Sequence, residues 1–365
     1  MALNKLNSYH EERLNKVRKW LESEDAAFVA FDSITVRWLT GFTGSNGAIY
    51  LDEESFILFT DSRYVIQAPK ELEKYKSSAE CKICLDVVKS ISIIAKDKPI
   101  LIDGERVSWA QKKKLSLSVK GSVADSRIPI QEFRSVKDQL EIGYISKAAT
   151  IAEQALNETF SDLDDATTEK EFAALLEYRM NLLGASGPAY SPIVASGENS
   201  AFPHASPTSN TISDSNLLLV DVGAVFEGYR SDMTRVMSVN PLNSKEREAL
   251  ELVQEAQKLA IKEVKPGVLG KDIDLACRNY LQEKGFGDFF THGSGHGVGL
   301  EIHEFPRINS KSKDVLKENM VITIEPGLYM PKSFGVRWED LLLVTSKGVE
   351  FLTNPRETQK GIRLG

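Results

Sequence analysis

The sequence predicts two successive domains, an α/β domain over residues 1–134 and a mixed α and β domain over residues 135–365. Three observations carry this. From Asp25 to Pro129, short strand-like apolar runs alternate with charged helical stretches, the pattern of an α/β layer. A break near Arg127 to Arg134 then leads into Lys137–Leu156, whose apolar positions recur at three and four residues, as on one face of a helix. Beyond it, the apolar runs Leu217–Val225 and Tyr229–Met237 are split by Phe226-Glu227-Gly228 in the manner of a β-hairpin.

Taken in order, Met1–Trp20 is a charged amphipathic helix pattern with neither the apolar core nor the cleavage site of a signal peptide. His10 within it reads as a surface residue. Strands are expected at Ala26–Phe31, Gly47–Leu51, Ser55–Thr60 and Pro99–Ile102, with a domain boundary near residue 135. Cys81-Lys-Ile-Cys84 is the sole close cysteine pair; zinc would need a second ligand pair, and Cys277 lies in a helix pattern, so ordinary packing is the better reading. In the second domain Glu169–Gly184 aligns faintly with Gly270–Gly285, and each leads into a histidine-bearing segment. Lys245–Ile261 carries an apolar stripe whose charged remainder is a solvated face.

The chemistry concentrates in this second domain. Asp221 and Asp232 have opposite parity, so a two-residue turn at Glu227-Gly228 would put both on one face of the hairpin. Adjacent carboxylates on an apolar sheet repel and lose hydration unless a cation neutralises them. Glu325 ends the run Met320–Glu325, and Glu339 interrupts Gly335–Val344, so both acids sit in core-like strand sequence. Three of the five histidines fall in the glycine-rich stretch Thr291–His303. Together with the acids they point to a dinuclear metal centre formed by Asp221, Asp232, His296, Glu325 and Glu339. Four carboxylates and one imidazole form an oxygen-rich donor set suited to two divalent ions, Mn2+ first, with Co2+, Zn2+ or Fe2+ compatible.

The segments Asp221–Thr234, His292–Arg307, Ile324–Tyr329 and Gly335–Asp340 resemble the ordered motifs of the pita-bread metallopeptidases, the family of methionine aminopeptidase, aminopeptidase P and prolidase. Thr40–Gly47 and Thr60–Tyr64 resemble the amino-terminal domain of the proline-specific branch and creatinase. The resemblance implies an α/β creatinase/prolidase-like domain followed by an α+β pita-bread domain, in which helices cover a curved antiparallel sheet. It implies that Asp221 binds one metal, that Asp232 and Glu339 bridge both, and that His296 and Glu325 complete the second. It further assigns His204, His292, His303 and Arg337 to the substrate site, with Glu325 shuttling the water proton and His303 donating to the reacting carbonyl. The implied activity is release of the first residue from short peptides with proline second, as in aminopeptidase P, the alternative being cleavage of Xaa-Pro dipeptides, as in prolidase. A homodimer is expected.

Composition agrees. Apolar residues at 42% and charged residues at 27% describe a globular chain with material for a core. A net charge of −7 speaks against a nucleic-acid partner. No apolar run approaches the ~20 residues needed to cross a bilayer, so no membrane association and a cytoplasmic location are expected. Two readings of other classes compete: a metal-free creatinase-like hydrolase and a non-catalytic peptide-binding protein. Relatives of both kinds lose ligands, and the intact set of five argues against them.

Overall fold

A computed structural model of the chain describes residues 2–125 and 129–355, with residues 2–8 given as backbone only. Arg127, in the expected break, lies outside the described residues. The chain divides into two compact units, Met1–Arg134 and Ser135–Gly365.

The first unit is a six-stranded mixed sheet with helices. Strands β1 (Ala27–Ala30), β2 (Gly47–Leu51), β3 (Phe56–Thr60), β4 (Glu80–Ile83), β5 (Ile100–Ile102) and β6 (Val123–Asp125) are ordered β4-β3-β2-β1-β5-β6. β5 runs parallel to β1 and β6, β4 runs parallel to β3, and β2 is antiparallel to both neighbours. Strands β1 and β3 are buried along their whole length, which explains their continuous apolar sequence. The edge strands β4 and β6 were not visible as apolar runs because they are short and partly exposed. Cys81 lies on β4, and the Cys84 amide continues that ladder to the Thr60 carbonyl. Three steps of extended chain span about 10 Å, too far for the two thiols to bridge or share an ion.

Helices α1 (Ala2–Leu21), α2 (Ser33–Thr40), α3 (Gln67–Lys74), α4 (Val87–Ala95) and α5 (Trp109–Ser118) belong to this unit, and α6 (Ile130–Ser135) follows. His10 is not on the surface. It is 4% exposed, on the α1 stripe with Leu14, Val17 and Leu21, and its ring lies 5.3 Å from that of Tyr75. Spacings of four, three and four residues make these neighbours on one helix face, so burial follows from position despite the polar ring.

Among the described residues, the second unit sets four α-helices against antiparallel strands: α7 (Gln139–Ser161), α8 (Glu169–Leu182), α9 (Ser244–Glu263) and α10 (Gly270–Glu283). α7, α8 and α9 start on capping boxes led by Asp138, Thr168 and Asn243. After the short β7 (Gly187–Pro188), strands β8 (Ile193–Ser196), β9 (Leu217–Val222), β10 (Ala224–Phe226), β11 (Tyr229–Arg230) and β12 (Met233–Ser238) build the expected hairpin. Its turn is Glu227-Gly228 with φ of 45° and 77°, the left-handed pair of a type I′ turn. One register runs through it, Phe226 opposite Tyr229 and Asp221 opposite Thr234. Leu218, Val220 and Met237 pack with Phe172, Leu176 and Met180 of α8, whereas Leu217, Leu219 and Val236 face the opposite cluster. Asp221 and Asp232 continue that second stripe.

The remaining strands are β13 (Gly295–Gly297), β14 (Glu304–Ile308), β15 (Val321–Ile324), β16 (Gly327–Met330), β17 (Phe334–Arg337), β18 (Asp340–Thr345) and β19 (Gly348–Phe351). β14-β13-β15-β18-β19 form a second antiparallel sheet beside β12-β9-β8. A single antiparallel bridge, Thr234 to Glu339, links the hairpin to the chain entering β18. The run Gly335–Val344 is two strands: β17 pairs with β16, and β18 with β15 and β19. The break falls at Trp338-Glu339 and turns Glu339 toward the hairpin acids.

Candidate metal and substrate site

The site is assembled where the two sheets meet. Strand β9 brings Asp221, the residue before β12 brings Asp232, β13 brings His296, the end of β15 brings Glu325, and the break before β18 brings Glu339. The glycines of the histidine stretch allow this approach: a Cβ on Gly295 would stand 2.0 Å from the Thr323 carbonyl oxygen, and one on Gly297 would stand 2.1 Å from that of Phe305. All five side chains line one cavity of about 670 Å³.

Asp232, His296 and Glu339 offer donor atoms that all lie within 4.8 Å of one another. His296 Nε2 is 3.5 Å from both Asp232 Oδ2 and Glu325 Oε1. Its Nδ1 faces the Gly297 carbonyl at 3.1 Å, which requires Nδ1 to carry the proton and leaves the Nε2 lone pair aimed at the carboxylates. Burial first, then His303, lowers the His296 pKa to about 4, so the ring is neutral. Asp232, Glu325 and Glu339 are pushed well above the carboxylate range, by burial first and then by one another and Asp221. Clustered acids facing an unprotonated imidazole nitrogen outnumber the one guanidinium among them, Arg337, and these residues fit divalent metal.

A polar network holds the acids. Arg337, 3% exposed, donates from Nε to Thr234 Oγ1 at 3.0 Å, from one terminal nitrogen to Tyr329 Oη at 2.6 Å and from the other to Asp221. Thr234 Oγ1 in turn donates to Glu339 Oε2 at 2.8 Å. His292 presents Nδ1 to the Gly293 carbonyl and Nε2 to Tyr329 Oη, each at 2.8 Å. The Tyr329 hydroxyl therefore donates to His292 and accepts from Arg337, while burial lowers the His292 pKa to about 4. Arg337 and His292 thus line the cavity with their nitrogens already engaged by protein groups. His303 and His204 are the exposed histidines of the site, His303 edge-on to His296 with ring centroids 4.3 Å apart.

Several residues of the site carry no pattern in the sequence. The Tyr190 hydroxyl bonds both Asp221 and Asp232, yet Tyr190 lies in an irregular stretch between β7 and β8. Arg235 is fully buried in a pair with Asp340 at 2.7 Å, and Gln257 on α9 donates to Asp340 Oδ2 at 2.9 Å and to the Ile324 carbonyl at 3.0 Å. Those contacts fix the chain directly beside Glu339 and Glu325. Arg307, at the end of the segment His292–Arg307, lines the cavity, and among the described residues its guanidinium has no ion pair. A cation after a histidine-rich stretch is the only signal that could have singled it out.

Comparisons with known proteins identify the family. The model of metallopeptidase family M24 matches residues 143–346, and that of the creatinase/prolidase N-terminal domain matches residues 13–136. The chain is 36% identical over 349 residues to an Xaa-Pro dipeptidase of Pyrococcus horikoshii, covering 94% of this chain and 97% of the relative. Among solved structures it matches an X-Pro aminopeptidase from Thermotoga maritima with a TM-score of 0.85 and 35% identity, covering 94% of this chain and 98% of that one. A prolidase from Pyrococcus furiosus matches with a TM-score of 0.85 and 35% identity, over 93% and 99%.

Proposed function

Because the chain belongs to metallopeptidase family M24, we propose that it is an Xaa-Pro dipeptidase whose buried acids and His296 hold two divalent ions, Mn2+ by preference. The relatives move the reading from the aminopeptidase P-like activity expected from sequence to its dipeptidase alternative, since similar proteins over nearly the whole chain are Xaa-Pro dipeptidases. The observation that carries it is Arg307, which lines the same cavity as the metal-ligand cluster and whose guanidinium has no ion pair among the described residues. A dipeptide spans such a cavity with its carboxylate free to meet that guanidinium, whereas a longer peptide places an amide there.

Asp221, Asp232, His296, Glu325 and Glu339 would hold the ions. When bound, such ions polarise a carbonyl and acidify water so that hydrolysis proceeds near neutral pH. The chain's own residues do the rest. The Xaa-Pro nitrogen carries no hydrogen, so once the C–N bond breaks it must receive a proton to leave as an amine. Glu325, at the cavity wall, takes the proton from water and delivers it to that nitrogen. His303 donates to the carbonyl oxygen as charge develops, and His204 contacts the prolyl side from the opposite loop. Arg337, through Thr234 and Asp221, keeps the acids oriented.

The test compares Ala-Pro, Ala-Pro-amide and Ala-Pro-Ala on metal-loaded protein. Hydrogen bonds to charged groups contribute about 1.5–3 kcal/mol, so the dipeptide should be cleaved at least about tenfold better than its amide, and Arg307→Met should erase the difference by raising KM. Faster cleavage of Ala-Pro-Ala would restore the aminopeptidase P reading.

A further inference from the structure

We propose that Glu169 is a positioning residue for the reaction, holding His204 in the cavity by clamping both ends of the loop 197–207; this rests on the reading above that His204 contacts substrate. Glu169 opens α8 and is 0% exposed, with no cation paired to it among the described residues. Its Oε1 accepts from the Ser196 amide at 2.7 Å and Ser196 Oγ at 2.8 Å. Its Oε2 accepts from Asn199 Nδ2 at 2.8 Å, the Thr208 amide at 2.8 Å and Thr208 Oγ1 at 2.7 Å. Ser196 and Asn199 stand where the loop leaves β8, and Thr208 stands where it returns.

A buried carboxylate without a cation is costly unless its lone pairs are filled. Here five donors converge on it, so the group is satisfied only as an acceptor on both oxygens. What those bonds accomplish is set by what lies between them: Pro203, His204, Ala205 and Ser206, all on the cavity wall. His204 itself is exposed. Its place therefore depends on its loop, which is otherwise tied to β17 by the Gly335 amide donating to Ser200 Oγ at 2.8 Å and by Arg337 donating to the Pro203 carbonyl at 3.2 Å. The second half of the unit uses a like device. Asp274 on α10, also 0% exposed, accepts from the Ser294 amide at 3.1 Å and Ser294 Oγ at 2.8 Å, one residue before the strand that carries His296. Each helix thus fixes a histidine segment through a buried acid and a serine.

Glu169→Gln keeps the size but turns an N–H2 toward donors. Displacements of about 1 Å at a reacting site can cost about 10²-fold, so kcat/KM for Ala-Pro should fall about 10- to 100-fold, with metal content by elemental analysis unchanged. The deciding measurement is a double-mutant cycle with His204→Ala. If Glu169 acts through His204, Glu169→Gln should change kcat/KM by less than about twofold in the His204→Ala background. Equal losses in both backgrounds would overturn the proposal. Thr208→Val, which removes one donor at the far end of the loop, gives a milder second variant should Glu169→Gln fail to fold, and the same non-additivity is expected. A wild-type protein that leaves Ala-Pro intact would defeat the functional reading itself, whereas additive losses on an active enzyme defeat only the role of Glu169.

Discussion

The two units differ in how their buried ionisable groups are gathered, scattered in the first and clustered on one cavity in the second. In the amino-terminal unit one titratable interior group is His10, held neutral with its pKa lowered to about 3 by burial and by Arg13. The carboxylates there with lowered pKa, Asp52, Asp61 and Asp86, accept hydrogen bonds near the surface and stay ionised. In the second unit Asp232, Glu325 and Glu339 share one cavity and are driven upward by burial and mutual repulsion. A fold that buries such groups apart from one another has made a core. One that gathers acids around an unprotonated imidazole nitrogen has made a place for cations. The candidate metal cluster therefore lies in the second unit.

The largest expected effect breaks the acid side of that comparison. Replacing His296 with alanine removes a direct donor, so metal affinity and activity should fall together, by more than the about 10- to 100-fold typical of groups that merely support a ligand. Unchanged metal content by elemental analysis would contradict the assignment. His303→Ala separates donor from ligand: kcat should drop about 10²- to 10³-fold, the range for losing one donor to developing charge, while the metals stay. Loss of metal in that variant would exchange the two roles.

The smallest effect on activity comes from the other unit. An unfolded chain protonates His10 below about pH 6.5, whereas the folded chain does so only near pH 3. The contribution to stability is therefore intact above pH 6.5 and lost as pH falls through that window, at about 1.4 kcal/mol per pH unit. His10→Phe should leave kcat unchanged and remove about 2 kcal/mol of the stability difference between pH 7.5 and pH 5, read from urea midpoints. Identical pH dependence in both proteins would show that His10 is not the buried neutral group described.

Much of the site was legible because its signals are local. The parity of Asp221 and Asp232 needed only a two-residue turn, and the left-handed pair Glu227-Gly228 supplies it. Glu325 and Glu339 stood out because acids are costly in apolar strands. What was hidden depends on residues far apart in the chain: Tyr190 on two acids, Gln257 beside Glu325 and Glu339, and Glu169 across a loop whose ends only the fold brings together. Edge strands β4 and β6 escaped notice because partial exposure removes the apolar signature. His10 departs from the expected surface position because its place on the stripe with Leu14, Val17 and Leu21 outweighs its polar ring.

The central claim is that the acids of the second unit form a two-cation site that drives Xaa-Pro hydrolysis. Calorimetric titration of chelator-stripped protein with Mn2+, run beside an Ala-Pro assay at each addition, tests it most directly. About two equivalents should bind per chain, as in two-metal hydrolytic sites, with activity absent at the start and rising as they bind. Full activity in protein shown by elemental analysis to hold no metal would contradict it.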